Sequence, residues 1–452
     1  MIPSRFVHSI PVDEGIVALY HSLKVKTIFV PSEFSKQFMR GEHQDARLEE
    51  AGLLVDSPLH DDEALEKLRK QLLARTSAVS VMYLVLTDQC NLACDYCFIE
   101  NQLPLDVKRR FMSQEVATTA IDFFSRALQR HPSSWEQRKS IIFYGGEPLL
   151  NKATFKHAVE YIEKLKKRGT IPSSLRLSLV TNGTCVTEDI ADFIKEHSIN
   201  VAVSIDGDRA ATDRHRHTTQ GHPVFDKAYA SVKRMQRKGI NVGISCTINE
   251  ETLRDPDHTI NFIIKDVGTK GLGFNILYRD HSMELSKDYE SKAAQFILRA
   301  FERFREVGIY ENRIMRKVDA FTAQRIYPYD CAAGGGRQIV VPPDGDVGIC
   351  HGYLGSRKHF VGSVFDDKLV VENTPTYALW KQRSPLTMPE CEECPVIGIC
   401  GGGCPCDAEG SQGSIWALDE RFCKHAKLTL DWLLSDLWRH SNPTQHCQNN
   451  GT

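Results

Sequence analysis

The chain has 452 residues, of which 41% are hydrophobic and 25% charged, proportions that indicate a soluble globular protein of two or three domains. Its formal net charge of −2 gives no reason to expect a nucleic acid or an acidic membrane as a partner. No signal peptide or membrane-spanning apolar run is evident, so we expect a cytoplasmic location. There, the 14 cysteines are expected to ligate metal rather than to form disulfides.

The first 76 residues are predicted to form a small N-terminal extension. Its elements are strands at Ile16–His21 and Val25–Pro31, helices at Ser32–Arg40 and Asp45–Ala51, a strand at Leu53–Val55 and a helix at Asp61–Leu73. This β-β-α-α-β order resembles the small winged-helix domain that binds the leader sequences of ribosomally made peptides. The alternative is an extension that only stabilises the rest of the protein.

Residues 77–306 alternate short apolar strands with amphipathic helices. The predicted strands are Val81–Thr87, Ser140–Tyr144, Leu175–Val180, Asn200–Ile205, Asn241–Thr247 and Leu272–Leu277. The predicted helices are Gln114–Leu128, Lys152–Lys167, Glu188–His197, Phe225–Lys238, His258–Lys265 and Leu285–Arg305. Six strand–helix units predict parallel strands with helices outside, and six fall short of the eight that close a TIM barrel. We therefore predict an α/β fold with an open, partial (β/α)6 barrel.

Three cysteines, Cys90, Cys94 and Cys97, directly follow the first of these strands. Their C-x3-C-x2-C spacing supplies three thiolates, one fewer than the four irons of a cubane cluster, whereas a zinc site normally closes with four protein ligands. The triplet resembles the signature of the radical S-adenosylmethionine (radical SAM) enzymes, and the aromatic residues Tyr96 and Phe98 also fit that pattern. The resemblance implies a [4Fe–4S] cluster whose open iron binds SAM.

Further polar and glycine-rich motifs follow the next strands. Because the carboxyl ends of parallel strands meet at one rim, we expect these motifs to lie beside the cysteine triplet. By the radical SAM resemblance, the predicted SAM-binding residues are Tyr96, Gly145, Gly146, Glu147, Pro148, Asn182, Ser204, Asp206 and Arg216. The resemblance implies that Glu147 accepts from the SAM ammonium and that Arg216 pairs with its carboxylate. The alternatives are an ordinary Gly-Gly turn and an ordinary surface arginine.

A second field of cysteines lies in residues 307–440, ahead of a short tail at 441–452. Seven of its cysteines match the SPASM pattern of radical SAM enzymes that modify peptides and proteins, which implies two auxiliary [4Fe–4S] clusters. The first would take Cys331, Cys350 and Cys404, and the second Cys391, Cys394, Cys400 and Cys423. Strand-like runs at 338–341 and 347–350 flank the turn-forming residues 342–345 and predict a hairpin that brings Cys331 and Cys350 together. A zinc ribbon is the alternative for this region.

The first auxiliary set is one thiolate short, since no cysteine lies between Cys246 and Cys331, where sulfatase-maturing relatives carry another. Cys406 is a candidate for the missing ligand. The alternative is an open iron that binds a group of the substrate.

These resemblances imply a radical SAM/SPASM maturase that oxidatively modifies a ribosomally made precursor peptide, through a thioether or a C–C crosslink. Its implied partners are the precursor and an electron donor such as flavodoxin or ferredoxin. One alternative is a sulfatase-type maturase that generates formylglycine. Against it stand the absent eighth cysteine and the lack of a carboxylate base in residues 274–278. An alternative of another class is a zinc-binding scaffold without catalysis.

Overall fold

The computed structural model describes residues 1–42, 45–75, 78–99, 110–131, 138–277 and 283–442. The N-terminal part contains five strands and three helices. The strands are β1 (Ile2–Pro3), β2 (Val7–Asp13), β3 (Ile16–His21), β4 (Lys26–Pro31) and β5 (Leu54–Val55). The helices are Ser32–Met39, Ala46–Glu50 and Pro58–Ala74. Strands β2, β3 and β4 form an antiparallel sheet in that order, and β1 pairs with β5.

Strand β2 was not predicted from the sequence. Ser9, Pro11 and Asp13 are exposed on one side of it, whereas Ile10 and Val12 pack against the main core. The strand lies against the helix Glu420–Ser441, and the indole N–H of Trp438 donates to Asp13 at 3.0 Å. Contacts from a distant part of the chain therefore stabilise this strand.

The centre of the molecule is the predicted series of parallel strands. They are β6 (Val81–Thr87), β7 (Ser140–Gly145), β8 (Arg176–Thr181), β9 (Asn200–Ser204), β10 (Val242–Ile248) and β11 (Gly271–Ile276). The main helices between and after them are Gln114–Arg130, Lys152–Lys167, Glu188–Glu196, Phe225–Arg237, Pro256–Phe262 and Tyr289–Glu306. Every neighbouring pair from β6 to β11 is parallel, which agrees with a partial barrel.

Four more strands extend this sheet at its two edges. Strand β12 (Tyr310–Glu311) pairs with β11. The strands β13 (Gln338–Val341), β14 (Asp346–Gly348) and β15 (Phe360–Ser363) continue the sheet beyond β6. The predicted hairpin is confirmed as β13–β14, and β13 pairs in parallel with β6. This pairing places the first carboxyl-terminal cysteines next to the barrel strand that precedes Cys90.

The carboxyl-terminal part carries the helices Asn312–Thr322, Pro375–Gln382, Pro405–Gln412 and Glu420–Ser441. The N-terminal part packs directly on it, since Phe6, Leu23 and Leu65 share a buried cluster with Leu386 and Ile397. Residues 76 and 77 and most of the tail lie outside the described ranges, and the domain boundaries stay predictions. Of the helices in the described ranges, none combines the length and apolar character that a membrane crossing needs.

Candidate active site

The three cysteines after β6 line a cavity of about 220 Å³ at the carboxyl ends of the barrel strands. Two glycines at the carboxyl end of β7, Gly145 and Gly146, position the loop that carries these cysteines. A Cβ on Gly145 would collide with the carbonyl oxygen of Thr87, and one on Gly146 with the carbonyl oxygen of Gln89. The N–H of Gly146 donates to Thr87 at 2.9 Å. The paired glycines therefore let two backbones pack closely, and both also line the cavity.

Most of the predicted SAM-binding residues border this cavity. Besides the three cysteines, the predicted residues in its wall are Tyr96, Gly145, Gly146, Asn182, Ser204 and Arg216. The polar lining residues that sequence reasoning missed include Ser245, Thr247 and Asn275. They belong to the carboxyl-terminal parts of β10 and β11, so the rule of the common rim, applied to every strand, would have found them.

Glu147 has a different position from the one expected, because its side chain is fully buried behind the cavity wall. Its carboxylate accepts from the backbone N–H of Leu149 and Asn182, at 3.0 and 2.8 Å, and from the hydroxyl of Thr181 at 2.8 Å. Burial raises the pKa of Glu147 to about 7, although these donors lower it. Here Glu147 holds the turn that places Asn182 in the cavity wall. Pro148 likewise does not line the cavity but starts the short helix Pro148–Asn151.

Asp206 and Arg216 form a buried ion pair at the edge of the cavity. The guanidinium of Arg216 donates to both carboxylate oxygens of Asp206, and Tyr96 donates its hydroxyl to the same carboxylate. Asp206 is fully buried and also accepts from the backbone N–H of Thr247 at 2.9 Å. It therefore orients Arg216 and Tyr96 rather than facing the cavity, where the sequence had led us to expect a contact with ribose.

The thiols of the triplet have the surroundings expected of cluster ligands. Burial raises the pKa of Cys90 to about 12 and that of Cys94 to about 11, and the neighbouring thiols contribute to both shifts. The N–H of Leu92 and the amide of Asn182 approach the sulfur of Cys90, at 3.4 and 3.8 Å. Bound iron would deprotonate these thiols, and N–H donors to sulfur are typical of such clusters.

A second thiol group lies in the carboxyl-terminal part and consists of Cys391, Cys394, Cys400 and Cys423. Burial raises the pKa of Cys391 to about 12. The nearby thiols of Cys400, Cys394 and Cys423 also raise it, so the four thiols lie close enough to interact. The buried side chain of Lys317 lies close to this group, and the buried side chain of His425 lies close to Lys317. Their side-chain nitrogens have no hydrogen-bond partner among the described residues, and Cys400 acts electrostatically on Lys317. A buried Lys317 amine that lies near Cys400 and has no hydrogen-bond partner among the described residues is consistent with an anionic cluster at these thiols.

The first thiol group comprises Cys331, Cys350, Cys404 and Cys406. The pKa of Cys350 is raised most by a hydrogen bond with Cys406 and next by burial. The thiols of Cys404 and Cys331 add to this shift. The structure thus brings the three predicted ligands together and adds Cys406. Among the described residues, no three Cys, His, Asp or Glu side chains are arranged to hold a single metal ion.

An aromatic wall separates the first thiol group from the cavity. His351, next to Cys350, stacks on Tyr83 with ring centroids 4.3 Å apart, and it meets the cavity residues Tyr144 and Phe98 at 5.3 and 5.9 Å. Ring contacts of His351 thus connect the neighbourhood of Cys350 to the cavity wall.

A barrel of parallel strands with a thiol triplet at its rim defines the class of protein. Residues 84–263 match the sequence profile of the Radical SAM superfamily. The chain carries a radical SAM domain and is a radical SAM enzyme. Enzymes of this family use a [4Fe–4S] cluster and SAM. The alternative of a zinc-binding scaffold without catalysis is thereby set aside.

Two curated relatives resemble this chain over most of its length. The radical SAM cyclopropyl synthase TigE of Paramaledivibacter caminithermalis is 23% identical over 481 residues, covering 96% of this chain and 96% of TigE. The serine-type anaerobic sulfatase-maturating enzyme of Bacteroides thetaiotaomicron is 24% identical over 391 residues, covering 78% of this chain and 91% of that enzyme. The chain is thus similar to both of these radical SAM enzymes over most of its length.

Two solved structures share the fold. Native anSMEcpe with bound AdoMet and the Cp18Cys peptide has a TM-score of 0.66 and 21% identity, covering 80% of this chain and 99% of that chain. SuiB of Streptococcus suis bound to the precursor peptide SuiA has a TM-score of 0.55 and 15% identity, covering 93% of this chain and 99% of that chain.

Proposed function

We propose that this protein is a radical SAM/SPASM maturase that oxidatively crosslinks a ribosomally made precursor peptide, through a thioether or a C–C bond. The observation that carries the proposal is the set of three thiol groups, one at the rim of the barrel cavity and two in the carboxyl-terminal part. The relationship to TigE over nearly the whole of both chains supports it, as does the likeness in fold to SuiB, which binds a precursor peptide.

The proposed cofactors are three [4Fe–4S] clusters and SAM. Cys90, Cys94 and Cys97 would hold the cluster that binds SAM, and the first and second thiol groups would hold the auxiliary clusters. Once bound, these cofactors would supply the reductive cleavage of SAM, the abstraction of a hydrogen from the peptide, and an acceptor for the electron that the oxidised peptide loses. Flavodoxin or ferredoxin as electron donor stays a prediction.

The side chains of the cavity would bind and orient SAM. Arg216 is oriented by two bonds to Asp206, and a guanidinium fixed in this way suits a bidentate contact with the SAM carboxylate. Asn182 and Ser204 offer polar groups for the ribose and the methionyl part. The apolar side chains Ile276 and Leu277 also line the cavity and would exclude water from the radical.

The N-terminal part would bind the leader of the precursor. In the described residues, β4 is an edge strand that pairs only with β3. An exposed strand edge can accept an extended peptide as an additional strand, with main-chain hydrogen bonds supplying affinity. This part packs on the carboxyl-terminal region through Phe6 and Leu23, so a bound leader would be held on the same rigid body as the cavity.

The second candidate is a sulfatase-type maturase, which the relationship to the Bacteroides enzyme favours. The described residues at the end of β11, Asn275, Ile276 and Leu277, contain no carboxylate base, and this counts against the second candidate. Tyr278, also considered in the sequence, lies outside the described residues.

The two candidates are separated by coexpression of the enzyme with the short open reading frame beside its gene, followed by mass spectrometry. A crosslink lowers the peptide mass by about two hydrogens per modified site. Iron analysis after anaerobic purification gives about twelve irons with matching sulfide for three clusters. Unmodified peptide together with formylglycine formation in a sulfatase fragment would overturn the proposal, and zinc without iron would favour the zinc ribbon.

A further inference from the structure

We propose that Cys406 is the fourth ligand of the first auxiliary cluster, which then has four protein thiolates and no iron open to the substrate. This inference rests on the proposed function, because it presupposes that Cys331, Cys350 and Cys404 hold a cluster. It decides between the two possibilities that the incomplete SPASM pattern leaves open.

The sulfurs of Cys406 and Cys350 lie close together. The two thiols are hydrogen-bonded to each other, and both lie against the backbone of Gly352. A Cβ on Gly352 would collide with the sulfur of Cys406 and lie 3.5 Å from that of Cys350. The N–H of Gly352 donates to the sulfur of Cys350 at 3.4 Å. The absence of a side chain at residue 352 thus lets two sulfurs approach one backbone segment.

The start of the helix Pro405–Gln412 holds two members of the group. Cys404 is the N-cap residue, Pro405 the first residue of the helix, and Cys406 lies in the first turn. Two thiols on one helix start, separated by a residue with a fixed φ angle, leave little freedom to either sulfur. The positive end of the helix dipole also favours thiolates there.

The remaining thiol approaches from the loop that precedes β13. The sulfur of Cys331 accepts from the N–H of Gly334 at 3.4 Å. A Cβ on Gly334 would lie 3.8 Å from both that sulfur and Pro405, so Cys331 lies beside the helix start. The thiols of Cys331 and Cys406 both act electrostatically on Cys404. Every member of the group is therefore linked to at least one other.

A buried cation next to the group fits its charge. Arg383 is 2% exposed. Its guanidinium donates hydrogen bonds to the backbone carbonyl oxygens of Ile415, Gly402 and Ala417. The thiols of Cys404 and Cys331 act on this guanidinium more strongly than any other charged neighbour. Four thiolates around iron carry net negative charge, which this cation offsets without binding a sulfur.

Full ligation by protein thiolates would limit what the first auxiliary cluster can bind. A substrate thiolate cannot bind an iron that already has a protein ligand, so the precursor need not present a cysteine to this cluster. The first auxiliary cluster would then serve in electron transfer alone, across the layer of His351 and Tyr83. This favours a C–C crosslink over a route in which the cluster captures a substrate thiol.

The test uses the full chain with Cys90, Cys94 and Cys97 replaced by alanine, so that only the auxiliary clusters remain. After anaerobic reconstitution, about eight irons are expected. Mössbauer spectra of this parent should show no iron with a distinct ligand set, and cyanide should leave its reduced EPR spectrum unchanged. In the Cys406→Ala variant, cyanide should shift the spectrum of one cluster, whereas Cys185→Ala, a half-buried thiol outside the three groups, should behave as the parent.

The possible outcomes distinguish a failure of the proposed auxiliary clusters from a failure of the proposed role of Cys406. A parent without iron would contradict the proposed auxiliary clusters themselves. A parent with eight irons that shows one distinct iron, or a cyanide-dependent spectrum, would overturn the role of Cys406 and leave the clusters in place. Because a distinct iron in the parent would overturn the inference by itself, the inference stays testable even if the Cys406→Ala variant fails to fold.

Discussion

Arg216 donates two hydrogen bonds to the carboxylate of Asp206, at 2.8 Å and 3.1 Å, in a buried ion pair at the edge of the cavity. The guanidinium also lies over the ring of Tyr96, 5.3 Å from its centroid. One carboxylate thus orients a cation from the loop after β9 and an aromatic ring from the cysteine loop. Asp206 has no exposed surface with which to bind a ligand itself.

Replacing Arg216 by lysine should weaken SAM binding and leave the iron content unchanged. Lysine keeps the charge but loses the bidentate geometry, so we expect affinity to fall by about 10- to 100-fold, or roughly 1.5–3 kcal/mol. Equilibrium dialysis of the reconstituted enzyme with SAM measures the effect. Tyr96→Phe is the matched control, because it removes one bond to Asp206 but keeps the guanidinium in place, and its loss should be smaller. Equal affinity of Arg216→Lys and wild type would refute the assigned contact.

Glu147 should make stability depend on pH. Its folded pKa of about 7 lies above the ordinary value of 4.5, so between these values the native state binds more protons than the unfolded chain. Stability therefore falls as pH rises through this window, by about 3 kcal/mol in total. Glu147→Gln should flatten this dependence, as measured by denaturant midpoints at pH 4.5 to 8.

The control for Glu147→Gln is Glu160→Gln, at an exposed position on the helix Lys152–Lys167. It should keep the pH dependence of the wild type. An unchanged slope in Glu147→Gln would show that this carboxyl group does not retain its proton in the folded protein.

Lys317 should raise the reduction potential of the second auxiliary cluster. A buried ammonium near Cys400 stabilises the extra electron of the reduced state, so Lys317→Met should lower the potential by about 50–100 mV, equivalent to roughly 1–2 kcal/mol. Redox titration followed by EPR measures the shift. Lys427→Met is the matched control, because Lys427 acts on Cys423 from an exposed position, where water screens its charge. Comparable shifts in both variants would speak against a special role for the buried lysine.

A proline at Thr27 should weaken binding of the precursor. The N–H of Ser32 donates to Gly15, and pairs alternate along β3 and β4, so Thr27, opposite Tyr20, directs its N–H away from β3. Thr27→Pro removes that donor from the free edge without breaking the β3–β4 ladder. Precursor affinity should fall several-fold while SAM cleavage without peptide is kept.

Thr27→Val keeps the N–H and the shape of the side chain, and it should bind the precursor as the wild type does. Deletion of the whole N-terminal part is a poorer test, because Phe6 and Leu23 belong to a core shared with the carboxyl-terminal region. If Thr27→Pro binds the precursor normally, the edge of β4 is not the docking site.

The barrel could be predicted closely because its signal is local. Each of the six predicted strands ends within one residue of its observed bounds, since apolar runs and turn residues mark them in the sequence. Strand β2 escaped prediction because its stability comes from contact with the helix Glu420–Ser441. The roles of Glu147 and Asp206 escaped it for a related reason. A carboxylate that binds ligand and one that accepts from buried donors look alike in a sequence, and only burial separates them.

The spacing of Cys90, Cys94 and Cys97 was enough by itself to indicate a radical SAM enzyme, because ligands to one cluster can lie within a single short loop. The three-dimensional arrangement alone decided that Cys406 joins the first thiol group, since the pairing of β13 with β6 and the close approach at Gly352 depend on packing between segments far apart in the chain. Such contacts are set by the free energy of the whole fold and leave no periodic trace in the order of the residues.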